Sequence, residues 1–261
     1  MHNFEFVKPS TVAEAVRALG REDAQALAGG HTLLPTMKQR LAAPAVLVSL
    51  TGIPDLRGVR REGDALVIGA ATTHAEVARA AAKDYPALAR LAGGIGDPAV
   101  RNRGTIGGSL ANNDPAACWP AGALGSGATI VTDRRQIAAD DFFRGLFTTA
   151  LEPAEIITAV RLPIPARAGY AKFEQPASRF ALTGAFVAQF PGGVRVAITG
   201  AGEDGVFRWA EAERALAANF AASALDGLGV SPDGLVGDLH GTPEYRANLV
   251  RVMTGRAVGA A

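Results

Sequence analysis

Strand-like and helix-like runs alternate through the first fifty residues, and that order constrains the fold more than any other feature of the chain. FEFVKP (4–9) has the composition of a short edge strand. STVAEAVRALG (10–20) follows as a helix, with Thr11 and Glu14 fitting a capping box and Gly20 a C-terminal stop. AQALAGG (24–30) reads as a buried strand ending in Gly29 and Gly30, and residues 33–41 as a helix. AVLVSL (45–50), between Pro44 and Gly52, is an apolar, β-branched run and again a buried strand. A β-α-β-α-β order of short elements implies a small, mostly parallel sheet with helices packed on it.

Beyond residue 53 the pattern changes. LRGVRREGDALVIGAATT has the form of a hairpin turning at Gly63-Asp64. THAEVARAAAKDYPALARLAGGI is helical, with a second box at Thr73 and Glu76 and a break or new first turn at Pro86. Residues 95–125 are rich in Gly, Asn, Asp and Pro and read as mostly loop. GATIVTD and RQIAADDFF return to strand and turn. EIITAVRLPIP is a strand closed by two prolines, which places a domain boundary near 163–168. GYAKFEQ, ALTGAFVAQF and VRVAITGAG then form a three-stranded antiparallel sheet. FRWAEAERALAAN, residues 220–228 and TPEYRANLVRVMTGRAV read as helices.

Composition excludes several classes of function. With 261 residues, 48% hydrophobic and 20% charged, the chain has material for a sizeable core, as one domain plus a smaller second one. A formal net charge of +1 with scattered arginines gives no nucleic-acid-binding surface. The single cysteine, Cys118, rules out an internal disulfide framework, and an iron–sulfur cluster or thiolate zinc site built from this chain alone. No metal site is expected. MHNFEFVKPS lacks a basic-then-apolar signal pattern, and no apolar run approaches the roughly 20 residues that span a membrane. A reducing, cytoplasmic location is the expectation.

Two glycine pairs carry the functional signal. Gly29-Gly30 ends a strand and opens a helix, where backbone N–H groups lack intrahelical partners and the missing Cβ atoms admit a bulky anion. His31 and Thr32 add side-chain donors there. Taken alone, this is also what a plain tight turn looks like. The second pair, Gly107-Gly108, lies in GIGDPAVRNRGTIGGSLANNDPAACWPAG (94–122), flanked by Thr105 and Ser109 and followed by Asn112, Asn113 and Asp114. This chemistry suits a polyhydroxylated, phosphorylated ligand, with N–H and hydroxyl donors for phosphate and amides and a carboxylate for ribose-like hydroxyls. Neither pair is the G-x-G-x-x-G fingerprint, so a Rossmann reading fails.

AGGHTLLPTMKQRL and DPAVRNRGTIGGSLANNDPAACWPA together resemble the paired flavin-binding motifs of the FAD subunit of molybdenum hydroxylases. That family includes the medium chain of aerobic carbon monoxide dehydrogenase and the flavin domain of xanthine dehydrogenase. FEFVKPSTVAEAVRAL, FFRGLFTTALEPAEIITAVRLPIP and GTPEYRANLVRVMTGRAV extend the resemblance over nearly the whole chain. It implies an α+β fold. An FAD-binding domain would span 1–165, with a small parallel β-α-β part (about 1–53) and a mixed or antiparallel part (54–165). A C-terminal domain, 166–261, with its three-stranded sheet and helices, would close over the flavin and dock partners.

By the same resemblance, Ala28, Gly29, Gly30, His31 and Thr32 would cradle the FAD pyrophosphate, with Leu33 and Leu34 nearby. Thr105, Ile106, Gly107, Gly108 and Ser109 would form the second loop. Ile95 and Gly96 would lie beside the cofactor, Leu162 at the end of its strand and Lys172 near the flavin end, although a surface lysine is the plainer reading of that residue. Asp114 is the candidate for a ribityl or ribose hydroxyl. Two departures stand out: Cys118 replaces an acidic residue carried by many relatives, and Arg179 replaces another acidic position. The resemblance makes the chain a flavoprotein oxidoreductase subunit holding non-covalent FAD and no catalytic side chain. Its partners would be a large molybdenum–pterin subunit and a small subunit with two-iron clusters, in a dimer of heterotrimers that reaches the inner face of the membrane only through the complex. Quinone, oxygen or NAD would accept the electrons. The rival readings are a stand-alone flavin oxidase with His31 covalently attached, an NADPH-dependent reductase of the cell-wall-precursor type, and a scaffold that has lost FAD.

Overall fold

The computed structural model describes residues 1–261, and the alternation read from the sequence opens it. The elements are β1 (Glu5–Val7), α1 (Val12–Leu19), β2 (Ala24–Leu27), α2 (Leu33–Lys38) and β3 (Val46–Ser49). Their strands pair in the order β1-β3-β2, both pairings parallel. β3 is central, which is why Val46, Leu47 and Val48 are buried. β2 is an edge strand and only half-buried, not the buried strand expected. Thr11 caps α1 as predicted, accepting from the Glu14 amide, but the Glu14 carboxylate turns back to the amide and hydroxyl of Ser10. The predicted box is thus half formed. α2 stops at Lys38, short of residue 41, because Arg40 takes a left-handed conformation with φ 62°.

The middle of the chain adds β4 (Val59–Glu62), β5 (Ala65–Gly69), α3 (His74–Ala80), α4 (Pro86–Gly93), α5 (Pro98–Arg101), α6 (Ile106–Asn112) and α7 (Cys118–Gly125). It continues with β6 (Thr129–Thr132), β7 (Gln136–Ala138), α8 (Ala139–Phe142), β8 (Phe143–Gly145), β9 (Thr148–Thr149) and β10 (Ile157–Pro163). Five of these strands form an antiparallel sheet in the order β4-β5-β10-β6-β7, and β8 pairs with β9 alone. The box at Thr73 is complete: its hydroxyl accepts from the Glu76 amide and the Glu76 carboxylate accepts from the Thr73 amide. Thr73→Ala is expected to cost about 1 kcal/mol of unfolding free energy, measured by urea titration.

Residues 95–125 are mostly helical, which corrects the loop reading. Asp97 caps α5, with Pro98 in its first turn, and Thr105 caps α6 by accepting from the Gly108 amide at 3.2 Å. α7 is buried all round, so it shows no amphipathic stripe for sequence periodicity to detect.

The C-terminal part holds β11 (Arg167–Glu174), β12 (Ala181–Phe190), β13 (Gly193–Gly202), β14 (Gly205–Arg208), α9 (Ala210–Ala218) and α10 (Pro243–Gly259). Its antiparallel sheet has four strands in chain order, one more than expected. The addition is GVFR, whose last residues were read as the start of a helix; α9 starts only at Ala210, and 222–225 is a single 3-10 turn. One core lies under the parallel sheet, one around Trp209 and Met253, and the largest, around Trp119, joins Leu66 and Ile68 of β5 to Tyr170 and Phe186 of the C-terminal sheet. No helix is long and apolar enough to cross a membrane.

Candidate functional site

The chain leaves β2 at Leu27 and turns through Gly30, whose φ of 75° favours glycine. The amides of Gly29, Gly30, His31, Thr32 and Leu33 then donate to no acceptor in the chain, and pairing resumes only with Leu34 N–H to the Gly30 carbonyl at 3.1 Å. Five consecutive free amides beside a helix start form a nest suited to an anion.

The second loop is built differently. The Ile106 amide donates to the Thr72 carbonyl, Gly107 to Ala70, and Ser109 to Thr105, at 3.2, 2.9 and 3.0 Å, while Gly108 is spent on the Thr105 hydroxyl. Pairing with Ala70 and Thr72 and capping by Thr105 consume these four backbone donors, so this loop offers close approach and the Ser109 hydroxyl but no free amides at its glycines. That corrects the expectation of N–H donors from both pairs. Its glycines are required all the same: a Cβ on Gly107 would lie 2.6 Å from the Ala70 Cβ. The two loops meet backbone to backbone, and a Cβ on Gly29 would lie 2.3 Å from the Arg103 carbonyl oxygen and 2.7 Å from the Gly104 Cα.

Between the loops lies a cavity of about 1000 Å³, the upper end of the range for small-molecule sites. Ala28, Gly29, Gly30, His31, Thr32, Leu33, Ile95, Gly96, Thr105, Gly107, Gly108, Ser109 and Asp114 all line it. Asp114 uses one carboxylate oxygen to accept from the Ala116 amide at 2.8 Å, leaving the other for a ligand hydroxyl.

Four of the residues named from the sequence are not in the wall. Leu34 packs behind Gly30, whose Cβ would come within 2.9 Å of it. Ile106 and Leu162 are fully buried in the main core, Leu162 paired with Leu66 on β5. Lys172 stands just behind the wall and is not a surface lysine: only 8% of its side chain is exposed. Its ammonium donates to the Gly94 carbonyl at 2.7 Å and to the Arg179 carbonyl, and lies 3.9 Å from the Cys118 sulfur. Cys118 and Arg179, the two departures, both face the cavity.

Sequence reasoning missed His74. Its ring is 4% exposed, forms part of the wall, and accepts at Nδ1 from the indole N–H of the fully buried Trp119 at 3.0 Å. Burial, with His31 and Arg101 nearby, lowers its pKa to about 4. The one sequence signal was a histidine directly after a helix cap, which says nothing about where the ring goes. Also missed was Phe147, half exposed at the cavity edge with φ 52°.

Known proteins resemble this chain along nearly its whole length. Residues 2–165 match the family model described as the FAD binding domain in molybdopterin dehydrogenase. The chain is 35% identical to the carbon monoxide dehydrogenase medium chain of Hydrogenophaga pseudoflava, over 99% of this chain and 96% of that one. It is 34% identical to the nicotine 6-hydroxylase medium subunit of Paenarthrobacter nicotinovorans, over 97% and 95%. Among solved structures, reconstituted CO dehydrogenase from Oligotropha carboxidovorans superposes with a TM-score of 0.90 at 34% identity, covering 100% of this chain and 98% of that one.

Proposed function

The chain belongs to the family of FAD-binding domains in molybdopterin dehydrogenases, and from that premise we propose that it is the FAD-carrying electron-transfer subunit of a molybdenum hydroxylase complex. In this reading a small partner subunit with two-iron clusters delivers electrons, a large partner holds the molybdenum–pterin, and quinone, oxygen or NAD receives the electrons from this chain. The assembly is a cytoplasmic dimer of heterotrimers. The boundary between an FAD-binding domain (1–165) and a C-terminal domain (166–261) is part of the same proposal.

The observation that carries this reading is the nest of free amides at Gly29–Leu33 pressed against the second glycine loop in one large cavity. These residues fit FAD. The nest takes the pyrophosphate, helped by the hydroxyls of Thr32 and Ser109, and Asp114 takes a ribityl or ribose hydroxyl. Ile95 and Gly96 lie beside the cofactor, with Lys172 supporting the wall from behind. When bound, FAD supplies the electron-transfer chemistry; the chain binds it, orients it and limits its contact with water. No side chain has to act as acid or nucleophile.

The test is an absorbance spectrum of the chain after incubation with FAD and gel filtration, followed by acid precipitation. The expected result is yellow protein whose flavin appears in the supernatant as FAD. Colour held in the pellet would mean a covalent link through His31 and a stand-alone oxidase. Colourless protein, with the partner subunits present, would overturn the proposal.

A further inference from the structure

His74 is a titratable side chain of the cavity wall that is buried and only half used. Its Nδ1 has a partner, the Trp119 indole N–H at 3.0 Å. Indole nitrogen only donates, so Nδ1 must be the acceptor and the ring proton sits on Nε2. That Nε2–H has no partner in the chain, although the residue is 4% exposed and borders the cavity. Nε2 is not among the sealed, unpaired polar atoms of the chain, so on this cavity-lining residue its N–H is open to an acceptor supplied by a ligand.

Its position says which part of a ligand supplies that acceptor. A Cβ on Gly104 would lie 2.7 Å from His74 Nε2, and a Cβ on Gly29 would lie 2.7 Å from the Gly104 Cα. The amide nest, Gly104 and the imidazole edge therefore stack in that order. The backbone of His74 is fixed to the same place, its amide donating to the Gly104 carbonyl at 3.0 Å, and Thr73 bridges to Thr105. The imidazole edge is thus separated from the nest by Gly104 alone, and both border the same cavity.

Resting on the FAD reading above, we infer that His74 is a further binding residue of the site, held by Trp119 in the Nε2–H tautomer so that it donates one neutral hydrogen bond to an oxygen of the cofactor's pyrophosphate. Trp119 is then a positioning residue. Its indole blocks the alternative tautomer, and it opposes protonation, because a doubly protonated ring would set N–H against N–H. The donor is thereby available without a competing positive charge. The proposal also explains why position 104 is glycine: any side chain there would displace the ring.

Two substitutions separate binding from structure. His74→Asn puts an amide oxygen where Nδ1 was, keeping the Trp119 bond and removing the ligand donor. His74→Gln places an amide N–H near the Nε2 position and leaves Trp119 without its acceptor. Titrating the full chain with FAD by flavin fluorescence, His74→Asn is expected to weaken binding about 10- to 100-fold, the range of a hydrogen bond to a charged group. ADP, which carries the pyrophosphate without the flavin, is expected to weaken by the same factor. His74→Gln, which restores a donor without the Trp119 bond, is expected to bind FAD more tightly than His74→Asn and to melt several degrees lower than the unsubstituted chain without ligand, as a lost buried acceptor implies. Equal losses of affinity in both variants, or none in His74→Asn, would overturn the inference, as would a loss for FAD that ADP does not share.

A measurement on the unsubstituted protein guards against misfolded variants. With ¹⁵N-labelled histidine, one of the four histidines should show an Nε2-protonated ring whose proton resonance moves downfield when FAD is added. An Nδ1-protonated ring, or no movement at saturating FAD, would overturn the inference while the FAD reading stands. Failure of the unsubstituted chain to bind FAD would overturn that reading and this inference together.

Discussion

Gly29→Ala is expected to abolish retention of FAD through gel filtration and to weaken its binding by about 100-fold or more, or about 2.7 kcal/mol. The added methyl would sit 2.3 Å from the Arg103 carbonyl oxygen and 2.7 Å from the Gly104 Cα, and both are backbone atoms that cannot rotate aside. Relief requires the two loops to part. That moves the amide nest away from Gly104 and the second loop at once, so every contact spanning the loops is lost together. Overpacking of this kind also costs about 1–3 kcal/mol of fold stability, so a melt of the ligand-free variant accompanies the titration. Gly192→Ala is the control: it lies in a hairpin turn with nothing within 4 Å of its Cβ position, and should change neither quantity. Tight FAD binding by Gly29→Ala would show that the contact between loops does not shape the site.

Acidification should destabilise the ligand-free chain in two stages. His74 has its pKa lowered from 6.5 to about 4, chiefly by burial and then by the nearby charges of His31 and Arg101. The unfolded chain therefore takes up this proton at a higher pH than the folded one. Stability is fully present above pH 6.5 and falls as the pH drops towards 4, by about 3 kcal/mol at 1.36 kcal/mol per pH unit. His74→Asn should remove that part of the slope in urea titrations at pH 7, 6, 5 and 4.5. Glu155 acts lower down. Arg135 hydrogen-bonds its carboxylate, as do the Glu152 amide and the Thr132 hydroxyl, and together they hold its pKa at about 2. Its contribution is present above 4.5 and is lost as the pH falls towards 2. An identical slope between pH 6.5 and 4.5 in the parent chain and His74→Asn would refute the first stage.

What the sequence made legible was local. The Thr73 box, the hairpin at Gly63-Asp64 and the β-α-β-α-β order each depend on residues a few positions apart, and each is present. The glycine pairs were legible as sites needing bare backbone, because a nest and a close loop contact both exclude side chains. What escaped was set by distant contacts. α7 is wrapped on every side, so its apolar residues follow no period. β14 is four residues long and owes its place to pairing with β13. His74 is buried by Trp119 and Gly104, 45 and 30 positions away, and no local pattern reports a tautomer. The division of labour between the loops was hidden for the same reason: GTIGG looks as rich in donors as AGGHT, until Thr72 and Ala70 claim the amides of Ile106 and Gly107.

The cavity wall is drawn from segments as early as Gln25 and as late as Phe180. The last of these rest on strands that α10 secures, since the buried Arg246 guanidinium donates to the carbonyls of Leu182 and Gly200. In terms of biosynthesis, a chain still on the ribosome has no finished pocket for most of its translation. Cofactor loading is therefore an event of the completed polypeptide, and flavin added after translation is halted should load it as fully as flavin present throughout. Between release and loading the empty subunit lacks the stabilisation that a ligand confers by mass action, so the cell's free flavin pool sets how long each new copy stays exposed to proteolysis.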